Sequence, residues 1–531
     1  MTDQDYSEYA QLSPFELKDK LIAIAGSDAD RMMLNAGRGN PNFLATIPRR
    51  AFLRLGEFAL EEAERSYSYL DSGLGGLPEA DGIALRFEIF AHRHADTDGV
   101  TFLRRSLAYA KDQLGLDAAE VLAEMVGAYL GGNYPVPPRM LVNAEAIVAA
   151  YLRQEMCGQV PSTGAFSLFA TEGGTAAMTY IFQTLKANHL IYPGDKVALG
   201  TPIFSPYLEI PPLPDYGLEV VDVRMDAEAD WQFPDAELRK LEDPAIKIFC
   251  LVNPSNPPSA KLSTECLDRI ADLIGTKRPD LFVVTDDVYG TFADDFVSLF
   301  AKCPSNTLCV YSFSKYFGAT GWRLGVIALH EDNAFDAALR ALPPDGKAAL
   351  AKRYSSLTNA PEDLRFIDRL VADSRAVALN HTAGLSTPQQ LQMVLFALNG
   401  LMDIEERYKA SAKHLIRHRY ETLCLHVGIP PQISENDVRY YYLIDLQDLG
   451  GKLYGDAFAR WLAEGERGTE FLFRLASETS VVLLPGKGFE VVDASARVSL
   501  ANLTDAAYSA IGDSTRRILG ELFEAFKGQG D

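Results

Sequence analysis

The sequence lacks the marks of several protein classes. Its six cysteines, Cys157, Cys250, Cys266, Cys303, Cys309 and Cys424, form no CxxC pair, and several sit inside apolar runs. Buried free thiols in a reducing compartment are therefore expected, not disulfides or a metal centre. No apolar run approaches the ~18 residues that would cross a bilayer. The opening "MTDQDYSEYAQL" is acidic and polar, unlike a signal peptide. Positive charge is in short supply: 50 Lys and Arg stand against 72 Asp and Glu, a net charge of −22. Such a surface repels nucleic acid and anionic membranes, and no basic helical module offsets it. No internal repeat or low-complexity tract is present. The expectation is a soluble cytoplasmic protein. Its 531 residues, 47% of them hydrophobic, suffice for roughly two to four domains.

What is present is an alternation. Apolar, β-branched runs occur at 196–204, 218–224, 246–252, 281–285, 307–313 and 324–329, and helical patterns such as "TECLDRIADLIG" separate some of them. This predicts an α/β fold whose large domain, 131–332, holds a mostly parallel sheet covered on both faces. Residues 58–130 and 333–380 read as helical insertions. Residues 381–531 carry a helical run at 388–425, then "RYYYLIDLQ", "SVVLLPG", "ARVSLAN" and a closing helix near 505–527. They predict the end of the large domain and a smaller α/β domain with an antiparallel sheet, which segment 1–57 would join.

Polar residues punctuate the carboxyl ends of the inferred strands, the edge where open α/β sheets bind ligands. "NPSNPPS" places Asn256, "DDVYG" places Asp286 and Tyr289, and "SFSKYFGATGWRLG" places Ser312, Lys315 and Arg323. Upstream, Gly173-Gly174-Thr175 opens a helix, a turn that presents backbone N–H groups to a phosphate. Each residue has a plainer reading alone. Asp286 could cap a helix, with Asp287 as its competitor. Tyr289 and Phe204 could be core aromatics, Asn256 a turn residue, and Ser386 and Thr387 helix caps.

In this order the parts resemble the fold-type I pyridoxal-phosphate enzymes of the aspartate aminotransferase superfamily, over residues 34–43 and 134–502. The resemblance implies pyridoxal 5′-phosphate as cofactor and a role for each residue. Lys315 would bond to the cofactor aldehyde and then move protons. Asp286 would keep the pyridine nitrogen protonated. Tyr289 and Asn256 would hydrogen-bond the ring oxygen, and Phe204 would stack on the ring. Ser312, Arg323 and the Gly173-Gly174-Thr175 turn would hold the phosphate. Arg497 would clamp the substrate α-carboxylate. Gly39 would sit in a closing loop, with Arg38 beside it as a substrate contact. Tyr134 would reach a neighbouring subunit's phosphate, implying at least a homodimer. No metal is implied.

Length, the two insertions, "NAGRGNPNF", "NPSNPPS" and the lysine segment further resemble the bacterial L-aspartate 4-decarboxylase family. That likeness implies release of carbon dioxide from aspartate to give alanine, a slower aminotransferase activity, and assembly up to dodecamers. Aspartate aminotransferases hold the distal carboxylate with an arginine near the segment matching "GLSTP". Here the stretch is "ALNHTA", without arginine; the nearest is Arg375. Two other readings stay open: an aminotransferase without β-decarboxylation, and a non-catalytic regulatory protein on the same fold. An intact Lys315, Asp286 and Tyr289 argue against the second.

Overall fold

The computed structural model describes residues 6, 9, 12–27, 30–70, 73–158, 164–375, 384–491 and 494–528. The six apolar runs become strands of one sheet: β3 (Lys196–Thr201), β4 (Glu219–Arg224), β5 (Ile246–Val252), β6 (Phe282–Asp286), β7 (Thr307–Ser312) and β8 (Gly325–His330). A seventh, β2 (Phe166–Thr171), leads into the Gly173 turn; β1 (Leu34–Asn35) lies apart. β3 stops at Thr201, short of the predicted 204, because Pro202 has no N–H for the ladder. The order is β2-β8-β7-β6-β5-β3-β4. β3 to β7 are mutually parallel, and β8 alone runs antiparallel to both of its neighbours. Every residue of β2, β6 and β7 is buried. Such strands, covered on both faces, need continuous apolar runs, which is what they have.

The register brings one edge together. Val252 pairs with Asp286, while Gly325 pairs with both Thr171 and Ser312. The ends of β2, β5, β6 and β7 and the start of β8 thus meet at one rim.

Segment 46–130 is helical in four pieces, Thr46–Ser66, Ile83–Arg93, Asp98–Asp112 and Ala118–Leu130. The first starts at Thr46, before the predicted 58. Their packing buries Glu62, which Arg86 pairs at 2.7 Å. Residues 334–373 form the helices Ala334–Ala341, Pro344–Tyr354 and Phe366–Asp373. Asp373 is buried there and accepts hydrogen bonds from Arg353 and Tyr354, both at 2.8 Å. The run predicted as one helix over 388–425 is two, Thr387–Leu401 and Arg407–Val427. Asp403 breaks it: its carboxylate accepts from the Arg407 and Tyr408 N–H groups, both at 2.9 Å, and caps the second helix.

The smaller antiparallel sheet has the order β11-β12-β9, from β9 (Tyr441–Asp445), β11 (Leu484–Pro485) and β12 (Ser495–Ser499). β1 pairs in parallel with β10 (Val481–Val482), which ties the N-terminal segment to this region. The helix Asp505–Gly528 packs along Arg407–Val427, and Arg419 bonds Asp505 at 2.8 Å. All six cysteines are free thiols; Cys303 is half-buried and the others are buried. Among the described residues there is no group of metal-ligating side chains, and no helix is long and apolar enough to cross a membrane.

Candidate active site

The rim of the large sheet opens into a cavity of about 180 Å³. Lys315 lies in its lining, half-buried, on the turn that follows β7. Its Nζ donates to the Gly39 carbonyl at 3.0 Å. The turn is braced from outside. Arg49 donates to the Phe317 carbonyl at 3.0 Å and the Gly318 carbonyl at 2.8 Å, with its guanidinium 5.0 Å from the Trp322 ring. Gly318 has φ +63, and a Cβ there would meet the Phe43 carbonyl at 2.0 Å, so only glycine fits. Burial lowers the Lys315 pKa; the Tyr441 phenol opposes this, and Arg497 and Arg323 add to it.

Asp286, Tyr289, Asn256 and Phe204 line the cavity. Burial raises the Asp286 carboxyl to about 7. The Val288 N–H pulls it down, the neighbouring Asp287 raises it, and Lys315 lowers it. Asp287 is absent from the lining. It accepts from Thr285 at 2.6 Å, from Ser298, and from the Cys309 thiol at 3.4 Å. Of the adjacent pair, Asp286 faces the cavity and Asp287 is turned into the core. Asn256 accepts from Arg497 at 2.9 Å, so only its amide N–H₂ can donate into the cavity.

Gly174 and Thr175, at the start of the helix Gly174–Ala187, line it too, with Ser312 and Arg323. Gly173 does not line the cavity, but it has φ +95, and a Cβ there would lie 2.3 Å from the Arg323 guanidinium. A glycine is what lets that arginine lie against the turn. Arg497 and Gly39 complete the wall. Arg497 is held by Asn256 and by the Gly37 carbonyl at 2.9 Å, and its Nε is buried with no hydrogen-bond partner.

Two expected residues are elsewhere. Arg38 is exposed and absent from the lining, and Tyr134 is 65% exposed and also outside it. The segment "ALNHTA", residues 378–383, lies outside the described residues. Arg375 is buried and donates to the Pro138 carbonyl at 2.8 Å, away from the lining. Ser386 takes the N-cap position of its helix, but its hydroxyl bonds the Gln389 side chain at 2.7 Å. Sequence reasoning missed Tyr441 in the lining, Tyr207 buried beside Asp286, and the Arg49 brace. The three consecutive tyrosines of "RYYYLID" were the available signal for the first.

The Aminotransferase class I and II family model matches residues 132–511, most of the chain. The chain belongs to this family. A relative from a Pseudomonas species is 58% identical over 527 residues, 99% of each chain, and is named bifunctional aspartate aminotransferase and L-aspartate beta-decarboxylase. Solved structures of the same fold include a double mutant of Thermus thermophilus aspartate aminotransferase. It has a TM-score of 0.57 at 16% identity, with 96% of each chain covered. A Pyrococcus protein matches with a TM-score of 0.58 at 18% identity, covering 98% of this chain and 99% of its own.

Members of the family work with pyridoxal 5′-phosphate, and this chain is a pyridoxal-phosphate enzyme. Its residues fit that group. The cavity lining offers a glycine turn with an arginine, a buried carboxyl and an amine. The carboxyl suits a cationic ring nitrogen, and the turn suits a phosphate.

The Asp286 shift has a consequence for stability before any cofactor binds. Its folded pKa lies above its ordinary value of 3.8, so between that value and about 7 the folded chain holds more protons than the unfolded one. Stability therefore falls as pH rises through this window. Asp286→Asn removes the contribution, while Asp287, raised to about 6 by burial, keeps its own. In thermal unfolding of the cofactor-free proteins, the parent should lose more stability than the variant between about pH 5 and about pH 7. Equal losses would place the raised carboxyl elsewhere.

Proposed function

We propose that the chain decarboxylates L-aspartate at its distal carboxylate, giving L-alanine and carbon dioxide, with aspartate aminotransferase activity as the lesser reaction. The observation that carries this is the 58% identity along nearly the whole chain to a bifunctional enzyme of that name. The cavity chemistry agrees with it. The cofactor, when bound, supplies an aldehyde that captures amino groups and a protonated ring that draws electron density from the substrate.

The chain's own residues do the rest. Lys315 Nζ holds the cofactor and then moves the proton at the substrate α-carbon, for which a lowered pKa suits it. Asp286 keeps a proton on the ring nitrogen. Asn256 and Tyr289 would hold the ring oxygen, and Phe204 would pack on the ring face. Ser312, Arg323 and the N–H groups of the Gly174 turn hold the phosphate. Arg497, with its buried Nε unpartnered, pairs with the α-carboxylate. Among the described residues, Arg323 and Arg497 are the arginines lining the cavity. We assign them to the phosphate and the α-carboxylate, which leaves the distal carboxylate without a fixed cation. A firm ion pair would stabilise the group that must leave, so its omission favours decarboxylation.

Arg497→Lys keeps the charge but loses the planar fork. A charge-assisted pair of this kind is worth about 1.5–3 kcal/mol. KM for aspartate should rise about ten- to a hundredfold in steady-state assays, with kcat less affected. An unchanged KM would remove Arg497 from the substrate site.

We also read the chain as a cytoplasmic homo-oligomer, at least a dimer and up to a dodecamer. Leu53, Leu60, Leu85 and Ile89 are each more than half exposed on the helices Thr46–Ser66 and Ile83–Arg93, which suits a contact face. Tyr134, exposed and outside the lining of its own chain's cavity, suits a neighbour's phosphate site. Aspartate given to the purified protein with cofactor tests the activity. Alanine with equal carbon dioxide supports the proposal; oxaloacetate alone would restrict the chain to transamination.

A further inference from the structure

Loss of the distal carboxylate leaves an electron pair on the substrate β-carbon, and a proton must arrive there. Lys315 lies on one side of Gly39. A Cβ built on Gly39 would sit 3.2 Å from Lys315 Nζ and 2.4 Å from Tyr441 Oη, so the two reactive atoms flank the same point of the cavity wall. Two hydroxyls nearby are engaged with backbone carbonyls. Ser312 donates to the Leu324 carbonyl at 3.0 Å, and Tyr440 donates to the Gly39 carbonyl at 2.8 Å. Among the described residues the Tyr441 phenol bonds another hydroxyl, that of Tyr289, at 2.9 Å, and either can be the donor.

We propose that Tyr441 delivers the proton that replaces the departing carboxylate on the substrate β-carbon. The inference rests on the decarboxylase reading. The carbon–carbon bond to the carboxylate breaks, carbon dioxide leaves, and the electron pair of that bond stays on the amino-acid fragment. The pair becomes the new Cβ–H bond as Tyr441 Oη gives up its proton. Solvent then restores the phenol, so one proton is taken up per carbon dioxide released, with no net oxidation or reduction.

The surroundings equip the phenol for this. The Arg497 guanidinium lies 4.0 Å from the Tyr441 ring centre, and the Tyr441 N–H is anchored on Ser259 Oγ at 2.9 Å. Charged and titratable groups facing it are Arg497 from β12, Lys315 from the turn, and Tyr289 and Tyr440. Burial alone would raise the phenol's pKa. Arg497, then Lys315, then the Tyr289 hydrogen bond outweigh it and hold the phenol below the ordinary tyrosine value. Tyr289, its partner, is pushed well above that value by burial. The position of Tyr441 Oη across the Gly39 point from Lys315 Nζ makes Tyr441 the acid, with Tyr289 as the hydroxyl it is hydrogen-bonded to.

Tyr441→Phe keeps the ring and removes the hydroxyl that carries the proton. In the holoenzyme given aspartate, alanine formation should fall about a hundredfold, while oxaloacetate formation falls less than about tenfold. In the cofactor-free protein, ultraviolet difference titration should show one phenol ionising below the ordinary range, and the variant should lack it. Alanine formation at the parent rate, an equal fall in both products, or an unchanged titration would each overturn the assignment. A parent that releases no carbon dioxide from aspartate would overturn the decarboxylase reading itself, and the proposal with it.

Discussion

Lys315→Ala should stop turnover of aspartate, by about ten-thousandfold or more, because one side chain is asked to do two things. In the proposed reaction it bonds the cofactor and moves the proton at the α-carbon. Among the described residues it is the one lysine lining the cavity, and its turn is fixed by Arg49. The phosphate end stays intact in the variant, since Arg323, Ser312 and the Gly174 turn are separate elements. Cofactor should therefore still bind, more weakly, without the absorbance of the lysine-linked form. Equilibrium dialysis and a spectrum check this. A variant with full activity would remove Lys315 from its role.

The adjacent aspartates should separate cleanly. Asp286→Ala should lower kcat about a thousandfold while some cofactor stays bound, because the ring loses the carboxylate that keeps its nitrogen charged. Asp287→Ala should act on stability, not chemistry. It leaves the Thr285 and Ser298 hydroxyls and the Cys309 thiol without their shared acceptor in a fully buried place, a loss on the order of 3 kcal/mol. Parallel measurement of kcat and of thermal unfolding distinguishes the two. Reversed severities would exchange the roles of the pair.

Much of this site was legible because its chemistry is tied to strand ends. Asp286 closes β6, Ser312 closes β7, and Arg323 precedes β8, so reading the strands placed the residues. The Asp-x-x-Tyr spacing to Tyr289 favours Asp286 over Asp287, and the hydrogen bonds of Asp287 give a physical reason for it. Residues delivered from elsewhere in the chain were harder to see. Tyr441 comes from the smaller sheet and meets Lys315 only because β9 pairs with β12 beside Arg497. Arg49 reaches the lysine turn across more than 260 residues of sequence. No local period encodes such meetings. The split of the 388–425 run was hidden for a different reason: its helical pattern resumes at once, and the break rests on the Asp403 carboxylate. Arg38 read as a substrate contact because it adjoins Gly39, yet neighbours along an irregular loop point in different directions, and Arg38 points to solvent.

The most direct measurement follows the label from aspartate carrying heavy carbon at its distal carboxylate, alongside aspartate labelled at the α-carboxylate. The account predicts labelled carbon dioxide from the first and none from the second, with labelled alanine from the second. Label from the first retained entirely in oxaloacetate, or carbon dioxide released from the α-carboxylate, would contradict it.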